Sequence, residues 1–353
     1  MRFHPLRVST VERLTDDAVA IEFDVPPELR DEFRFRPGQH VSVRSPVLGD
    51  RVRRSYSLCV PATSGRVRIG VKRVPGGVFS AYAADELSAG DVLEVMAPTG
   101  SFSPALDPAR ARGYAAIAAG SGITPVLSIL ATALEVEPAS TAALVYVNRS
   151  AASVMFLEEL EDLKNRYTDR FQLVHVFVWE PRGIDLLAGR PDADRLGRLL
   201  DSLVPVSTVD EWFLCGPLPL TEAARAVLLE RGVPAGDVHR ELFHVGAPPP
   251  RPAVRAAAAA PGSAVTVVLG GRTQTLVVPR DGESVLEGIL RVRADAPYAC
   301  RNAVCGTCRA KVLEGEVRMD ADYALEPAEQ AAGFVLTCQA HPVSERVTLD
   351  FDR

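Results

Sequence analysis

Four cysteines in the last part of the chain constrain its fold more than any other feature. Cys300, Cys305 and Cys308 share one short loop with the spacing Cys-x4-Cys-x2-Cys, and Cys338 follows at a distance. Disulfide frameworks are typical of small secreted proteins, whereas this chain has 353 residues and opens without the basic and apolar stretches of a secretory signal. The clustered thiols therefore predict a metal site rather than a set of disulfides.

The spacing of these thiols predicts a [2Fe-2S] cluster. The alternative is a structural zinc ion held by four thiolates, which usually come from two Cys-x-x-Cys knuckles, and the second knuckle is missing here. The loop resembles that of plant-type ferredoxins, which usually have Gly where this chain has Ala303. Because Ala is strained at positive φ, we expect a less relaxed backbone there. We also expect the backbone N–H groups of residues 301–307 to point towards the sulfur atoms.

Length and composition set the class of protein. At about 150 residues per domain, the length predicts two or three compact units. A content of 47% hydrophobic and 24% charged residues is typical of a globular chain. The net charge of −6 has the wrong sign for binding a nucleic acid backbone. We therefore expect a globular, cytoplasmic protein without a nucleic acid partner.

An uncharged stretch at residues 113–134 is long enough to cross a membrane. Its interior argues against that, because Gly120 and Gly122, followed by Thr124 and Pro125, predict a strand, a tight turn and the start of a helix. In this interpretation Thr124 caps the helix and Pro125 takes its first position. We expect no membrane partner.

One linker divides the chain. Residues 246–263 are rich in Pro and Ala, which favours an extended spacer. Before it, residues 1–105 carry alternating patterns that predict an antiparallel β-barrel. Residues 106–245 alternate short apolar runs with helical segments, which predicts a parallel α/β sheet. Residues 264–353 predict a small α+β domain, so the expected fold class is multidomain.

Two local patterns give sharper expectations. Within residues 66–74 every second side chain from Val67 is apolar, and we expect the opposite face, which carries Arg66 and Arg68, to meet solvent. In the last domain two strand-like runs flank the pair Gly270-Gly271, which predicts a tight hairpin.

A candidate flavin site lies in the barrel region. Arg54, Tyr56 and Ser57 combine a cation that can pair with a pyrophosphate, a ring that can pack on a flat ring system and a hydroxyl that can hydrogen-bond to a ring nitrogen. Farther on, a glycine pair ending at Gly77, together with Ser80, opens a helix whose N-terminus can face anionic phosphate. On composition alone an ordinary solvent-facing strand is the default interpretation of these residues.

A candidate nicotinamide-nucleotide site lies in the α/β region. The turn at Gly120 and Gly122 can hold a pyrophosphate with its amide N–H groups, although the full G-x-G-x-x-G pattern is absent and a plain structural turn is the alternative. Cys215-Gly216-Pro217 closes a later strand, where ligands of open α/β sheets bind. Cys59, flanked by apolar residues, is predicted to be a core residue.

The second strand of this region ends at Asn148-Arg149. An acidic residue at this place would bind the ribose 2′-hydroxyl of NADH, whereas Arg149 suits a 2′-phosphate. The sequence thus predicts NADPH in preference to NADH. The alternative is that Arg149 is an ordinary surface charge.

These motifs resemble signatures of the ferredoxin-NADP reductase superfamily. Residues 54–57 and 76–80 match its R-x-Y-S and G-G-x-x-S patterns in order and distance, and residues 120–125 and 215–217 match its G-x-G-x-x-P turn and C-G-P. The order of flavin, nicotinamide and ferredoxin domains is similar to that of reductases that serve bacterial oxygenases. Further similar segments are residues 35–40, 311–317, 323–326 and 333–338.

The resemblance implies FAD, NADPH and a [2Fe-2S] cluster in a β-grasp ferredoxin domain. It implies Tyr56, Ser57, Cys215 and Glu241 as catalytic residues. The implied cofactor-binding residues are Arg54, Tyr56, Ser57, Gly77, Ser80, Gly120, Gly122, Thr124, Pro125, Asn148, Arg149, Cys215, Gly216, Pro217 and Phe243, and the implied cluster ligands are Cys300, Cys305, Cys308 and Cys338. Phe243 is expected near the flavin and Cys215 beside the nicotinamide ring. Leu242 departs from the superfamily, which often has a basic residue there.

The same resemblance implies an electron-transfer function. NADPH would give a hydride to FAD, and single electrons would pass through the cluster to a di-iron oxygenase partner. A hydride carrier cannot serve a one-electron iron acceptor directly, so the flavin has to stand between them. The alternatives are a reductase of a Rieske or steroid-type hydroxylase and a non-catalytic iron–sulfur scaffold.

Overall fold

The computed structural model describes residues 2–49, 52–180, 184–243 and 262–353. The chain divides into two compact units, residues 4–243 and residues 244–353 together with the first three residues. Most of the predicted linker lies outside the described residues, and its last two residues, Gly262 and Ser263, begin the first strand of the second unit. Within the described ranges no helix is long and apolar enough to cross a membrane. The cytoplasmic location stays a prediction.

A six-stranded antiparallel sheet forms the first part of unit 4–243. Its strands are β1 (Phe3–Thr15), β2 (Ala18–Asp24), β3 (His40–Arg44), β4 (Arg53–Ser57), β5 (Val67–Lys72) and β6 (Val92–Met96). The spatial order is β4-β3-β6-β1-β2-β5, and an antiparallel bridge between Leu58 and Ile69 joins the end of β4 to β5. The sheet therefore closes on itself, as the predicted barrel requires. Helix α1 (Val78–Asp85) packs against β5.

A five-stranded parallel sheet forms the second part of the unit. Its strands are β7 (Gly113–Ala119), β8 (Thr141–Asn148), β9 (Phe171–Phe177), β10 (Glu211–Cys215) and β11 (Val238–Glu241), and its helices are α2 (Ile123–Val136), α3 (Leu157–Arg166), α4 (Ala193–Leu203) and α5 (Leu218–Glu230). The spatial order is β11-β10-β7-β8-β9. The chain thus adds β8 and β9 on one side of β7 and then β10 and β11 on its other side, so the strand order reverses between β7 and β10. Ligands of open α/β sheets bind at the carboxyl ends of the strands at such a reversal.

One apolar cluster joins the barrel to the parallel sheet. Helix α2 is buried along most of its length, and its side chains pack in the same cluster as Ala18, Ala20 and Cys59 of the barrel part. Ser128 Oγ donates a hydrogen bond of 2.7 Å to the carbonyl oxygen of Val60. This continuous packing fixes the barrel against the carboxyl edge of the parallel sheet.

The prediction that Arg68 faces solvent is wrong. Its side chain is 7% exposed and donates to Glu159 at 2.8 Å and to Glu12 at 2.5 Å. The guanidinium carbon also lies 5.4 Å from the centre of the Phe156 ring. The acidic first turn of α3 covers this face of β5 and supplies the counter-charge, which the pattern of a single strand cannot reveal.

The second unit holds a mixed sheet with strand order β13-β12-β18-β14-β16. Its elements are β12 (Gly262–Leu269), β13 (Arg272–Pro279), α6 (Val285–Leu290), β14 (Arg309–Glu314), β15 (Val317–Met319), α7 (Pro327–Ala331), β16 (Phe334–Leu336), β17 (Ala340–Pro342) and β18 (Arg346–Asp350). The predicted hairpin is confirmed, since Leu269 pairs with Arg272 across the glycine pair. Strands β12 and β18 run parallel, and α6 packs on β13, so this unit is a small α+β fold of the β-grasp kind.

Candidate functional site

Strand β4 presents the residues predicted to bind a flavin. Because side chains alternate along a strand, Arg54 and Tyr56 lie on one face and Ser57 on the other. The Tyr56 ring lies 5.4 Å from that of Phe79, and burial raises the pKa of Tyr56, so its hydroxyl stays protonated. The Arg54 side chain is exposed. An aromatic ring and an exposed guanidinium on one face fit a ligand that carries both a flat ring system and a phosphate.

The second part of the flavin signature is a braced turn before α1. The Ser80 hydroxyl donates to the carbonyl oxygen of Gly77 at 3.1 Å and accepts from the backbone N–H of Val74 at 3.1 Å. A Cβ atom on Gly77 would lie 2.5 Å from Ser80 Oγ, so a side chain at this position would displace the Ser80 hydroxyl. Ser80 thus holds the turn from inside, and the backbone of the turn is the part that can face a phosphate.

The glycine turn after β7 brings two strand ends into close contact. Residues 120–122 form a short 3₁₀ turn, and a Cβ atom on Gly122 would lie only 2.2 Å from the carbonyl oxygen of Cys215. The absence of a side chain at Gly122 therefore lets the carboxyl ends of β7 and β10 approach at the reversal of the sheet. This geometry fits the backbone cradle that a pyrophosphate needs.

The predicted capping role of Thr124 is wrong. Helix α2 begins at Ile123, so Thr124 and Pro125 are its second and third residues and Gly122 is the residue before it. The Thr124 hydroxyl donates to the carbonyl oxygen of Ser121 at 3.0 Å and so does not cap a backbone N–H group. The 3₁₀ turn leads directly into the helix, which moves the helix start ahead of the Thr-Pro pair.

Three of the predicted catalytic residues come together although they lie far apart in the sequence. Ser57 Oγ donates a hydrogen bond of 3.2 Å to Glu241 Oε2, and Glu241 is paired in register with Cys215 on the neighbouring strand. Cys215 is fully buried. Burial, and secondarily the negative charge of Glu241, raises the pKa of the Cys215 thiol well above its ordinary value, so the sulfur is an uncharged thiol.

Phe243 follows this cluster at the end of the described part of the first unit. Its side chain is 39% exposed, whereas that of Leu242 is buried. An exposed aromatic ring two residues beyond Glu241 can cover a flat ligand beside the cluster. The place of Phe243 next to the flavin stays a prediction.

Asn148 and Arg149 lie at the carboxyl end of β8, as predicted. The Asn148 carboxamide is buried at this edge of the sheet, beside the hydroxyl of Tyr146. Arg149 Nη2 donates to Asp17 Oδ2 at 2.7 Å, and its guanidinium carbon lies 5.4 Å from the centre of the Trp179 ring. Arg149 therefore has two partners, Asp17 and Trp179, and is not an isolated surface charge.

The four clustered cysteines lie together in the second unit as two pairs. Hydrogen bonding with Cys305, followed by burial, raises the pKa of Cys300, and hydrogen bonding with Cys338, followed by burial, raises that of Cys308. The pKa of Cys338 is lowered because it accepts the hydrogen bond from Cys308. No disulfide joins any of them. Two thiol pairs fit a group with two irons, each of which takes two thiolates.

The described residues contain no site for a single metal ion. No set of three or more His, Cys, Asp or Glu side chains there is spaced to hold one metal ion. The backbone N–H of Asn302 donates to the sulfur of Cys300 at 3.3 Å, in the direction predicted for the loop.

Ala303 occupies the strained backbone conformation that its sequence position predicts. Its φ is +61°, in the left-handed region that favours glycine, and its side chain is buried. Its carbonyl oxygen accepts from the backbone N–H of Ala324 at 2.8 Å, which helps to hold the loop in this shape. Arg301 shares the positive φ, at +57°, which the sequence did not indicate.

Sequence reasoning missed two residues beside Arg149. Asp17 lies in the turn between β1 and β2, far away in sequence and outside any motif, so no local pattern could have placed it there. Trp179 was open to prediction, because an aromatic residue just beyond the end of β9 in a parallel sheet lies at the ligand-binding edge.

Three family models match the chain. An oxidoreductase FAD-binding domain matches residues 5–103, an oxidoreductase NAD-binding domain matches residues 116–226, and a 2Fe-2S iron-sulfur cluster binding domain matches residues 267–343. The predicted cofactor classes and the predicted fold class are thereby confirmed. The exact domain boundaries and the roles of single residues stay predictions.

Known proteins with similar sequences cover nearly the whole chain. One component of the 1,2-phenylacetyl-CoA epoxidase of Escherichia coli K12 is 44% identical over 99% of this chain and 98% of its own length. The ferredoxin reductase component of 3-ketosteroid-9-alpha-monooxygenase from Rhodococcus rhodochrous is 37% identical over 98% of this chain and 96% of its own length.

Solved structures show the same architecture. Phthalate dioxygenase reductase, described as a modular structure for electron transfer from pyridine nucleotides to [2Fe-2S], is 25% identical with a TM-score of 0.58 over 99% of this chain and 98% of its own. An intact type IV self-sufficient cytochrome P450 monooxygenase is 26% identical with a TM-score of 0.70 over 98% of this chain. The present chain spans 41% of that P450 chain, so the likeness concerns only part of it.

Proposed function

Because this chain belongs to the ferredoxin-NADP reductase superfamily, among the members that join FAD-, NAD- and [2Fe-2S]-binding domains in one polypeptide, we propose that it supplies electrons to an oxygenase that epoxidises phenylacetyl-CoA. The 44% identity to an epoxidase component over nearly the full length of both chains supports this substrate system. A di-iron oxygenase is the proposed acceptor.

The chemistry that bound FAD and a [2Fe-2S] cluster supply is the conversion of a two-electron hydride into single electrons. For this the chain has to hold the flavin ring and the nicotinamide ring at one place. Tyr56 and Arg54 would hold the flavin from the barrel side, with the aromatic ring against the flat system and the guanidinium on the pyrophosphate.

The observation that carries the proposal is the hydrogen bond between Ser57 and Glu241. It links the flavin strand β4 to the last strand of the nucleotide sheet, beside Cys215 at the sheet reversal. Because Ser57 donates its only hydroxyl hydrogen to Glu241, its oxygen would accept a hydrogen bond from a ring N–H of the flavin, and Glu241 would keep the hydroxyl oriented. The uncharged thiol of Cys215 would fill the space next to the nicotinamide ring without adding a charge to the site.

The cluster would be held in the second unit by the thiolates of Cys300, Cys305, Cys308 and Cys338. The first two would ligate one iron and the last two the other, in agreement with the pairs in which their sulfurs lie. Backbone N–H groups of the loop, such as that of Asn302, would stabilise the negative charge on the sulfurs.

A reductase for a steroid-type hydroxylase is the second candidate, because the Rhodococcus relative is 37% identical over 98% of this chain. Both candidates predict the same internal electron path and differ only in the partner. A non-catalytic scaffold predicts no transfer to any partner.

The test is reconstitution of turnover from purified components. The loaded reductase, NAD(P)H and O₂ are combined with either the di-iron phenylacetyl-CoA epoxidase or a Rieske-type steroid hydroxylase system, and product is counted against NAD(P)H consumed. We expect coupled epoxide formation only with the first. Coupled turnover only with the second overturns the proposed partner, and no turnover with either overturns the function.

A further inference from the structure

Asp17 is bound from three sides by groups at the edge of the nucleotide sheet and the barrel. Its Oδ1 accepts from Thr15 Oγ1 at 2.9 Å and lies 3.4 Å from Lys72 Nζ, while its Oδ2 accepts from Arg149 Nη2 at 2.7 Å. The coulombic pull of Lys72, together with the other contacts, keeps the pKa of Asp17 below its ordinary value despite burial. The carboxylate is therefore ionised at neutral pH and held in place.

Arg149 and Trp179 lie where the far end of a dinucleotide would reach. The glycine turn for the pyrophosphate follows β7, and Cys215 ends β10 on one side of it. Arg149 and Trp179 follow β8 and β9 on the other side, so the adenosine end would extend towards them.

The two residues form one small platform. The backbone N–H of Trp179 donates to the carbonyl oxygen of Arg149 at 2.9 Å, and the Arg149 guanidinium lies beside the indole. The indole is 69% exposed, and the Arg149 side chain is 48% exposed. An exposed ring can stack on a purine, and a half-exposed guanidinium can meet the substituent on the adjacent ribose.

We propose that Asp17 sets the discrimination between NADPH and NADH by competing with the ribose 2′-phosphate for Arg149. A 2′-phosphate that approached Arg149 would have to displace the Asp17 carboxylate or share the guanidinium with it, and the two anions would repel each other. A ribose 2′-hydroxyl carries no charge and can donate to the carboxylate. Asp17 therefore lowers the preference for NADPH that Arg149 alone would give. The inference rests on the proposed nucleotide site.

The direct test measures binding of 2′,5′-ADP and 5′-ADP, which differ only in the 2′-phosphate, to the full-length, FAD-loaded protein by isothermal titration calorimetry. Asp17→Asn is expected to raise the affinity for 2′,5′-ADP relative to 5′-ADP about tenfold at low salt, and less at high salt because of screening. The kcat/KM ratio for NADPH over NADH is expected to rise in the same direction. Asp16→Asn removes the same charge from the neighbouring exposed position and should leave both ratios within about twofold.

A second variant shows whether Asp17 acts through Arg149. In an Arg149→Gln background, Asp17→Asn is expected to change the affinity ratio by about threefold or less, because the competition for the guanidinium is gone and only the direct effects of the Asp17 charge on the 2′-phosphate and the 2′-hydroxyl remain. If Asp17→Asn leaves the ratio unchanged in the natural background, or changes it equally with Gln at position 149, the inference is overturned while the nucleotide site stands. If neither ADP binds to the natural protein, the proposed nucleotide site fails, and the inference with it.

Discussion

Ser57 on barrel strand β4 donates a hydrogen bond of 3.2 Å to Glu241 at the end of β11, although 184 positions separate them in the chain. Glu241 is in turn the register partner of Cys215. The bond therefore ties the strand that carries the flavin signature to the edge of the sheet that carries the nucleotide signature. Residues of two motifs that look independent in the sequence therefore lie together in the folded unit.

Removal of this bond should slow hydride transfer without removing the flavin. Ser57→Ala deletes the donor and leaves Glu241 without it, so we expect flavin reduction by NAD(P)H to slow by about ten- to hundredfold, within the range of a lost proton-handling or positioning group. Stopped-flow absorbance of the flavin under anaerobic conditions measures this rate. The matched control is Ser55→Ala on the same strand, whose hydroxyl bonds to Ser42. Equal rates for Ser57→Ala and the natural protein would contradict the assigned role.

The buried thiol of Cys59 should make unfolding depend on pH. Burial raises its pKa from 9.0 to about 12, so above pH 9 the unfolded chain releases a proton that the folded chain keeps. The stabilisation is complete below pH 9 and is lost as the pH rises towards 12, by up to about 1.4 kcal/mol per pH unit. Urea titrations between pH 8 and 10.5 measure this slope, and Trp179 and Trp212 report on the first unit alone.

The variant Cys59→Ala should lower that slope by up to about 1.4 kcal/mol per pH unit, and the slope that remains comes from other buried groups with a raised pKa, such as Cys215. The control Leu127→Ala removes a buried neighbour with no titratable group, so it should lower the free energy of unfolding by about 2 to 5 kcal/mol at every pH and leave the slope unchanged. A slope in Cys59→Ala as steep as in the natural protein would show that this thiol does not titrate with unfolding.

Loss of one cluster ligand should stop electron transfer through the cluster without stopping reduction of the flavin. Cys305→Ser removes a thiolate from one pair, so we expect loss of the reduced-cluster signal in electron paramagnetic resonance and at least about a hundredfold loss of transfer to the oxygenase. Flavin reduction by NAD(P)H should continue. Cys59→Ala, which removes a thiol outside the cluster loop, serves as the control. A full cluster signal in Cys305→Ser would exclude Cys305 as a ligand.

Ala303 offers a test of the strained loop with two opposite substitutions. Ala303→Gly relieves a left-handed conformation that costs about 1 kcal/mol and loses a buried methyl group worth about 0.8 kcal/mol, so stability should change by less than about 1 kcal/mol. Ala303→Val places a β-branched side chain at φ +61° in a buried position and should destabilise by at least about 2 kcal/mol. Loss of the cluster's visible absorbance in urea measures both. Similar urea midpoints for Ala303→Gly and Ala303→Val would contradict backbone strain at position 303.

The residues that could be predicted from the sequence are those whose chemistry shows in a local pattern. The cysteine spacing, the glycine turn at 120–122 and the apolar strands are local patterns of this kind. The strain at Ala303 was predicted from the resemblance of the loop to plant-type ferredoxins, which usually have Gly at that position. Arg68 was placed wrongly because its counter-charges, Glu12 and Glu159, come from other elements.

The helix start at Ile123 was misplaced for a related reason. A 3₁₀ turn that runs straight into α2 leaves no separate capping residue, and the sequence does not record that continuity. Asp17 was missed because its meeting with Arg149 depends on how the barrel packs on the parallel sheet. Contacts of this kind depend on tertiary structure and cannot be predicted from the spacing of residues along the sequence.

Stepwise anaerobic titration of the loaded protein with NADPH and, separately, with NADH tests the central claim most directly. Visible absorption follows the flavin, and electron paramagnetic resonance follows the cluster in the same samples. Bleaching of the flavin together with a reduced-cluster signal is the predicted result. Bleaching without any cluster signal would contradict an electron path from the nicotinamide nucleotide through the flavin to the four cysteines.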